Sequence, residues 1–313
     1  FNTMANITAK DVSELRAKTG LGMMDCKKAL VEAEGDVEKA VKILREKGLA
    51  TAAKKESRIA AEGVVDIMTE GNVTAMIEVN SETDFVAKNA NFKEFVRGLL
   101  STIIAGKPAD MDAFMKMPYN GTGMTVEAAL VDKIAVIGEK ISIRRFVIVE
   151  GVVSTYIHGM GTTGVIVKFD VDDAVAANPE FAAAAKNIAL QIAAGSPPAY
   201  VTKEDVPASV IEEEKAIFKT QMANDPKMAG KPEKVLDGIV MGKLGNFYKS
   251  NCLVEQPYVK DDKLTVGQYL KASAKELGGK FDVVDFKIFE KGEGIQKRED
   301  NFAEEIAKLT GKQ

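Results

Sequence analysis

Catalytic chemistry needs ionisable or nucleophilic side chains that lie close together, and this chain offers few of the required types. His158 is the only histidine, so no second histidine is present to bind a metal with it or to form an acid–base pair. The two cysteines, Cys26 and Cys252, do not have the spacing of metal ligands or of a disulfide framework. The residue types therefore predict no catalytic residue, no metal and no cofactor, and we expect that the chain is not an enzyme.

Two local patterns resemble ligand sites. Residues 159–164 match the glycine spacing of a dinucleotide-binding loop, but such a loop must open a helix, and here the strand-like segment 164–170 follows. We therefore predict a hairpin turn. Glu78, Glu82 and Asp84 form an acidic run, which we interpret as a solvated loop after a strand. A metal site is the less favoured interpretation, because nothing else in the sequence supplies oxygen ligands.

The most informative segment is residues 83–89, whose sequence is Thr-Asp-Phe-Val-Ala-Lys-Asn. The run at 173–178 repeats its Asp, Val, Ala and Asn after 89 residues, but has Ala174 in the place of Phe85 and lacks the lysine. A core position usually resists such a large loss of side-chain volume. We therefore predict that Phe85 is an exposed contact residue rather than part of the core.

The two runs belong to a longer internal repeat, which predicts the elements that position them. The 89-residue offset continues through the helix after each run, and an offset of 140 residues then pairs the strand-like segments 141–150 and 281–290. Each half is predicted to contain strand, turn, strand, the Asp-containing loop, two helices and a last strand. The turns are predicted at Gly71-Asn72 and within 159–164. Three strands covered by helices on one face make each half α+β.

Residues 4–50 are predicted to form a three-helix domain before the repeat. Thr8 and Asp11 have the spacing of a capping box for the first helix, and Gly48 is predicted to end the third. Residues 51–62 are rich in alanine and lysine, and we interpret them as a solvated linker or loose helix. An RNA-binding patch is the alternative for this segment.

The change of offset indicates an insertion, which we assign to residues 208–251. Apolar residues recur there at helical spacing on both sides of a break at 225–232, which predicts a projecting antiparallel coiled-coil hairpin. Residues 295–313 are predicted to form a C-terminal helical module. The remaining segments of the repeat form two core subdomains, at 63–150 and at 151–207 with 252–294.

The bulk composition argues against several classes of function. The 313 residues include 42 basic and 46 acidic side chains, so the net charge of −4 does not favour nucleic acid. No polybasic block indicates a membrane surface, and no apolar run approaches the ~18 residues of a spanning helix. We expect no direct nucleic-acid binding and no membrane association, and the cysteine usage favours a cytoplasmic location.

Three segments resemble bacterial elongation factor Ts, and the resemblance covers nearly the whole chain from Met4. The segments are residues 19–30, 83–89 and 137–145. The resemblance implies an N-terminal three-helix unit of the ubiquitin-associated type and a duplicated core of two three-stranded antiparallel sheets with helices. It also implies an inserted helical hairpin and a C-terminal helix. The loops at 107–123 and 198–207 depart from the family pattern.

The resemblance further implies nucleotide exchange on elongation factor Tu, the GTPase that delivers aminoacyl-tRNA, in its GDP-bound and nucleotide-free states. In this family an Asp-Phe pair reaches the magnesium and phosphate site of the GTPase. The partner-binding residues implied for this exchange tip are Thr83, Asp84, Phe85, Val86 and Asn89. Other implied contact residues are Arg16, Met23, Met24, His158 and Gly159.

Three alternatives stay open at this stage. From the residues alone, Met23 and Met24 suit either a helix core or an adaptable contact surface. The main alternative function is a non-catalytic adaptor or scaffold that uses the three-helix unit and the coiled coil and needs no exposed Asp-Phe pair. Homodimer contacts through the helical hairpin are a further expectation that the motifs do not decide.

Overall fold

The computed structural model describes residues 7–297 of the chain. These residues form an α+β fold, as the sequence predicts. The helices are α1 (Ala9–Thr19), α2 (Met23–Glu32), α3 (Val37–Lys55), α4 (Asp84–Lys88), α5 (Ala90–Gly106), α6 (Met111–Met115), α7 (Val126–Ile137), α8 (Asp173–Ala176), α9 (Phe181–Ala194), α10 (Ala208–Ala223), α11 (Glu233–Asn251) and α12 (Val266–Leu277). The strands are β1 (Glu62–Glu70), β2 (Val73–Ser81), β3 (Ile141–Glu150), β4 (Val153–His158), β5 (Thr163–Val171), β6 (Pro257–Tyr258), β7 (Asp261–Thr265) and β8 (Phe281–Glu290).

Within this range the strands form two three-stranded sheets and one two-stranded ribbon. Their orders are β1-β2-β3, β4-β5-β8 and β6-β7. Strands β4 and β5 are antiparallel, with Val153 opposite Lys168 and His158 opposite Thr163. Residues 159–162 connect these strands, so the predicted hairpin turn is confirmed. The glycine-rich segment leads into a strand and does not open a helix, and it therefore lacks the geometry that holds a dinucleotide.

Two compact units divide the described residues. The first unit contains residues 7–68, Ile77–Phe146 and 290–297. The second unit contains Thr69–Met76 and Val147–Phe289. The finer domain boundaries that the sequence indicates stay predictions.

Helices α1, α2 and α3 enclose a small apolar core in the first unit. Its buried members are Val12, Leu15, Cys26, Ala29, Leu30, Ala33, Ala40 and Leu44. The predicted capping box is present at the start of α1, where the Thr8 hydroxyl accepts a hydrogen bond from the Asp11 N–H and the Asp11 carboxylate accepts one from the Thr8 N–H. Two of the backbone donors near this helix start are thereby satisfied by side chains.

The predicted end of the third helix at Gly48 is wrong. Helix α3 continues to Lys55, and Gly48 is buried within it. A Cβ atom at this position would lie 3.7 Å from side chains of Val131 and Ala135 on α7. Contact with α7 stabilises α3 beyond a residue that is itself a poor helix former. The first part of the predicted linker at 51–62 is therefore helical.

Strand β2 is covered on both faces, whereas the sequence analysis predicts strands that are covered by helices on one face only. Every residue of Val73–Ser81 is buried, because β2 is the central strand of the first sheet and both its faces are covered. The buried positions include four polar side chains, Thr74, Glu78, Asn80 and Ser81. The alternation along this strand therefore separates two covered faces, and its polar groups need partners inside the protein.

An aromatic cluster lies in the core of the second unit. The rings of Phe169 and Phe281 are stacked at 5.2 Å between centroids, and Phe181 packs edge-on against both. These residues join β5, β8 and α9 into one apolar core with α12. The strand ends predicted at 281 and 290 agree with β8, and those predicted at 141 and 150 agree with β3.

Helices α10 and α11 contact each other in the predicted insertion. The predicted break lies between them, with a short 3-10 turn at Pro226–Met228. The loop at 107–123 contains α6 and a 3-10 turn at Tyr119–Gly121, and the loop at 198–207 contains a 3-10 turn at Lys203–Asp205. The C-terminal helix predicted within 295–313 lies outside the described residues.

Candidate functional site

The segment 83–89 forms an exposed tip with a buried base. Asp84 to Lys88 make the single helical turn α4, where the sequence analysis placed a loop. Phe85 is 78% exposed on this turn, whereas Val86 is buried beneath it. Asn89 follows as the N-cap of α5, and its side chain accepts a hydrogen bond from the N–H of Phe92. The structure therefore presents the phenyl ring to solvent on an ordered support, as predicted for Phe85.

Two carboxylates fasten the segment that precedes α4. The Glu139 carboxylate accepts hydrogen bonds from the N–H groups of Glu82 at 3.1 Å and of Thr83 at 3.0 Å. It also accepts one from the Thr83 hydroxyl at 2.7 Å. In return, the Glu82 carboxylate accepts a hydrogen bond from the N–H of Lys140 at 2.7 Å and pairs with Arg58 at 3.3 Å. The entry to the tip is thus held from both directions.

Asp84 is exposed at the first position of α4. Its carboxylate lies 2.7 Å from the Lys88 ammonium one turn later. The hydrogen bond from Lys88 is the main cause that holds the pKa of Asp84 below its usual range, so this carboxylate is ionised at neutral pH. An exposed pair of this kind contributes little stability, and the Asp84 carboxylate can therefore exchange its lysine for another partner at low cost.

The second run also contains a helical turn, α8, but carries no aromatic side chain. Ala174 is exposed where Phe85 is exposed in the first run, and Val175 is buried as Val86 is. At the position that the 140-residue offset pairs with Glu139, the chain has Gly279. Sequence reasoning did not identify Glu139 as a candidate, although this difference between the two halves was visible in the sequence.

The other predicted contact residues of the first unit lie on α1 and α2. Arg16 is exposed on α1. Met23 and Met24, at the start of α2, are 54% and 61% exposed. The core interpretation of the two methionines is therefore wrong, because the apolar core of this unit is formed by other positions of the helices. The adaptable contact surface is the interpretation that their exposure favours.

His158 and Gly159 lie in the second unit, where β4 ends and the turn to β5 begins. The His158 imidazole is exposed, and its Nδ1 lies 3.2 Å from the Tyr156 hydroxyl. Gly159 has φ of +58°, in the left-handed region that glycine adopts most easily. The tyrosine orients the imidazole at the rim of the turn, so His158 is available for contact with another molecule.

The three residues of the predicted acidic run lie in different environments in the structure. Glu78 is not in a solvated loop: it is fully buried in β2 and its carboxylate lies 2.6 Å from Nε of Arg145 and 3.3 Å from Arg144. Glu82 binds backbone and Arg58, and Asp84 is exposed on the tip. Arginines hold the carboxylate of Glu78, which explains how a charged group is accommodated on a central strand.

Residues 7–297 contain no cluster of three or more histidine, cysteine or acidic side chains that could hold a metal ion. Among the helices of this range, none is both long enough and apolar enough to cross a lipid bilayer. The residues that the sequence analysis predicts as contacts lie in three places: the tip at 83–89, the helices α1 and α2, and the turn after β4.

Comparison with known proteins gives a consistent result over almost the full chain. The family model described as elongation factor TS matches residues 82–293. A protein named elongation factor Ts from Syntrophotalea carbinolica is 46% identical over 307 residues, which cover 97% of this chain and 99% of that protein. Proteins of the same name from Clostridium kluyveri and Clostridioides difficile are each 46% identical, over 308 and 309 residues. These alignments cover 96% and 97% of this chain and 98% and 99% of the relatives.

Proposed function

Because this chain belongs to the elongation factor Ts family and is a translation elongation factor, we propose that it is a guanine nucleotide exchange factor. Its partner in this proposal is elongation factor Tu, in the GDP-bound and nucleotide-free states. The observation that carries the proposal is Phe85, a phenyl ring exposed on an anchored helical turn. A single exposed apolar side chain is ordinary, but this ring stands on an anchored turn whose counterpart in the second half carries only Ala174, and that difference supports burial of the ring in a partner.

The mechanism that we propose is differential binding. An exchange factor promotes GDP release only if it binds the nucleotide-free GTPase more tightly than the GDP-bound GTPase. By the same factor, bound GDP then weakens the affinity of the GTPase for the exchange factor. Phe85 inserts into the GTPase near its magnesium and phosphate site and displaces the elements that hold them. Asp84 gives up Lys88 and makes a polar contact beside the ring, which its weak exposed ion pair permits.

The energy available from the ring limits what it can do alone. Burying one phenylalanine contributes about 1.5–3 kcal/mol. A shift of the nucleotide equilibrium by about 10⁴-fold needs about 5.5 kcal/mol of differential binding. Other surfaces must therefore supply affinity, and the exposed methionines of α2 and His158 after β4 are the residues that we assign to this role.

The fold details that the family implies are part of the same proposal. We infer a three-helix unit of the ubiquitin-associated type at α1 to α3, and a core that arose by duplication. The two three-stranded sheets and the matching turns α4 and α8 support the duplication. The pair α10 and α11 is proposed as the antiparallel coiled coil, with homodimer contacts through it as a further expectation.

The test is the rate at which fluorescent GDP leaves elongation factor Tu, measured by stopped flow at several concentrations of this protein. Phe85→Ala is expected to reduce exchange at subsaturating concentration by about tenfold to hundredfold, the loss of the buried ring. Val259→Ala, another exposed apolar residue in the loop between β6 and β7, is the matched control and is expected to leave exchange unchanged. Asp84→Ala is expected to have a smaller effect.

The adaptor alternative predicts a different pattern. An adaptor that uses α1 to α3 and the hairpin needs no exposed ring at the tip, so Phe85→Ala would leave both binding and GDP release as they are. That outcome would contradict the exchange mechanism. Binding that persists without any acceleration of GDP release by the unmodified protein would contradict it as well.

A further inference from the structure

Glu139 lies in the turn between α7 and β3, fifty-six residues from Thr83 in sequence, yet it reaches the entry of the exposed tip. The three hydrogen bonds to its carboxylate come from two backbone N–H groups and one hydroxyl, at 2.7–3.1 Å. Hydrogen bonds to an ionised acceptor are roughly twice as strong as bonds between neutral groups. Together with the contacts of Glu82, this side chain therefore fixes how the chain leaves β2 and enters α4.

The tip needs such an anchor because α4 is very short. It contains five residues, and an isolated helical turn of this length is unstable in water. The side chain of its N-cap, Thr83, does not cap the helix and instead donates its hydroxyl to Glu139. The orientation of Phe85 consequently depends on the burial of Val86 within α4 and on the hydrogen bonds to the Glu139 carboxylate just before it.

The second half of the chain shows the same turn without this anchor. Gly279 occupies the position that pairs with Glu139, and a Cβ atom there would lie 2.5 Å from the Asp172 carboxylate. The second half keeps a counterpart only of the contact between Glu82 and Lys140: the Asp172 carboxylate accepts a hydrogen bond from the N–H of Lys280 at 2.7 Å. The half that has Ala174 at the tip thus also lacks the glutamate, and the half that has Phe85 has both.

From this pairing we propose that Glu139 is a positioning residue for nucleotide exchange, which holds Phe85 in the orientation that enters the GTPase. The inference rests on the proposed function. Glu139 acts through the tip and does not itself touch the partner in this proposal, since its carboxylate is already engaged by Glu82 and Thr83. Its loss lowers the fraction of molecules whose tip is ready to bind.

The test is a double-mutant cycle between Glu139→Ala and Phe85→Ala, with fluorescent GDP release from elongation factor Tu as the readout. If the tip is competent about a tenth of the time without Glu139, apparent affinity falls about tenfold. In the Phe85→Ala background, Glu139→Ala is expected to add at most the smaller effect of losing the Asp84 contact, because no ring is left to orient. Effects that multiply instead, in the manner of independent sites, overturn the inference.

Two variants separate positioning from general loss of structure. Glu139→Gln retains an acceptor for both N–H groups and an amide for the Thr83 hydroxyl, so it is expected to restore exchange to within about twofold of the unmodified protein. Asp172→Ala removes the carboxylate that accepts the Lys280 N–H beside the corresponding turn of the second half, and it is expected to leave exchange unchanged. Exchange that is impaired equally by Asp172→Ala and Glu139→Ala contradicts a role specific to the tip.

Hydrogen exchange of the free protein provides a readout that does not involve the partner. Glu139→Ala is expected to accelerate amide exchange in the peptide that contains Glu82, Thr83 and α4, and Glu139→Gln to do so much less. Unchanged protection in Glu139→Ala overturns the inference. A Phe85→Ala variant with normal GDP release refutes the proposed function itself, whereas impaired Phe85→Ala together with normal Glu139→Ala refutes only the role of Glu139.

Discussion

Glu78 carries a fully buried carboxylate on the central strand β2, and four groups donate hydrogen bonds to it. The N–H of Gly292 lies at 2.7 Å, the amide of Asn80 at 3.1 Å, Arg144 Nη1 at 3.3 Å and Arg145 Nε at 2.6 Å. The donors come from β2 itself, from β3 and from the segment after β8. One carboxylate therefore links three parts of the first unit, and Glu78→Ala removes all of these links together.

The structure allows the size of the effect to be worked out. Removing one partner of a buried ion pair typically costs about 3–5 kcal/mol, because the remaining charge stays buried without compensation. The two arginine side chains here are 28% and 30% exposed, so water can partly rehydrate them. We therefore expect the lower end of the range, about 3 kcal/mol in the free energy of unfolding. With a urea m-value of about 2 kcal/mol per molar, the unfolding midpoint falls by about 1.5 M.

Urea unfolding followed by circular dichroism is the assay, and Glu293→Gln is the matched control. The Glu293 carboxylate pairs with the same Arg145 at 3.2 Å, but it is 57% exposed. Exposed pairs contribute at most about 1 kcal/mol, so this variant is expected to lie close to the unmodified protein. If Glu78→Ala is destabilised no more than Glu293→Gln, the assignment of Glu78 as a central electrostatic link is refuted.

The acid dependence of Glu78→Gln gives a further measurement. Burial is the largest single influence and would raise the pKa of Glu78, but the hydrogen bonds from Gly292, Asn80 and Arg145 together outweigh it and lower that pKa below the ordinary 4.5. A depressed folded-state pKa stabilises the fold above the unfolded-state pKa, and this stabilisation is lost as pH falls through the folded-state value. Glu78→Gln is therefore expected to have a lower free energy of unfolding than the unmodified protein at neutral pH. This difference is expected to shrink as the pH falls below the ordinary glutamate pKa of 4.5.

Three other predictions follow from single positions. Gly48→Ala is expected to raise the free energy of unfolding by about 0.5–1 kcal/mol, since Gly48 is helical and the new Cβ would lie at an ordinary contact distance of 3.7 Å from α7; destabilisation in urea would contradict this. Gly292→Ala is expected to destabilise by about 1–3 kcal/mol in the same assay, because φ is +73° and the new Cβ would lie 2.4 Å from the carbonyl oxygen of Ala61. Burial, and to a smaller extent the nearby Glu255, raises the pKa of Cys252 to about 11. Its thiol is therefore expected to react with iodoacetamide at pH 8 far more slowly in the folded than in the urea-unfolded protein. Peptide mass spectrometry measures the two rates, and equal rates would contradict the burial of Cys252.

The features that sequence reasoning predicted correctly are those whose cause is local. The Thr8–Asp11 capping box involves residues three positions apart, and the strands at 141–150 and 281–290 are strand-like segments that the internal repeat also pairs at an offset of 140 residues. Exposure of Phe85 was also predictable, because the chain contains its own comparison in Ala174. A difference of side-chain volume between two similar segments is informative without coordinates.

The errors have a common physical origin in contacts between distant segments. Gly48 is a residue type that commonly ends a helix, but α7 packs against α3 at this position and α3 continues past it. Glu78 is a residue type that is common in solvated loops, but two arginines of β3 pair with its carboxylate and allow it to be buried within the sheet. In each case a tertiary contact outweighed the local conformational preference of the residue, as such contacts often do.

The amino-acid sequence by itself determined the α+β class, the Thr8–Asp11 cap, the turn between β4 and β5 and the exposed aromatic residue at the tip. The first three depend on propensities and periodicities over a few residues, and the last depends on the comparison with Ala174 that the internal repeat provides. The tertiary structure decided how that residue is held. Glu139 reaches Thr83 across fifty-six positions, and Glu78 reaches Gly292 across 214, so neither contact has a local signature. Hydrogen bonds of this kind exist only after folding has brought the strands and turns together, and they are what orient the exposed ring and secure the unit that carries it.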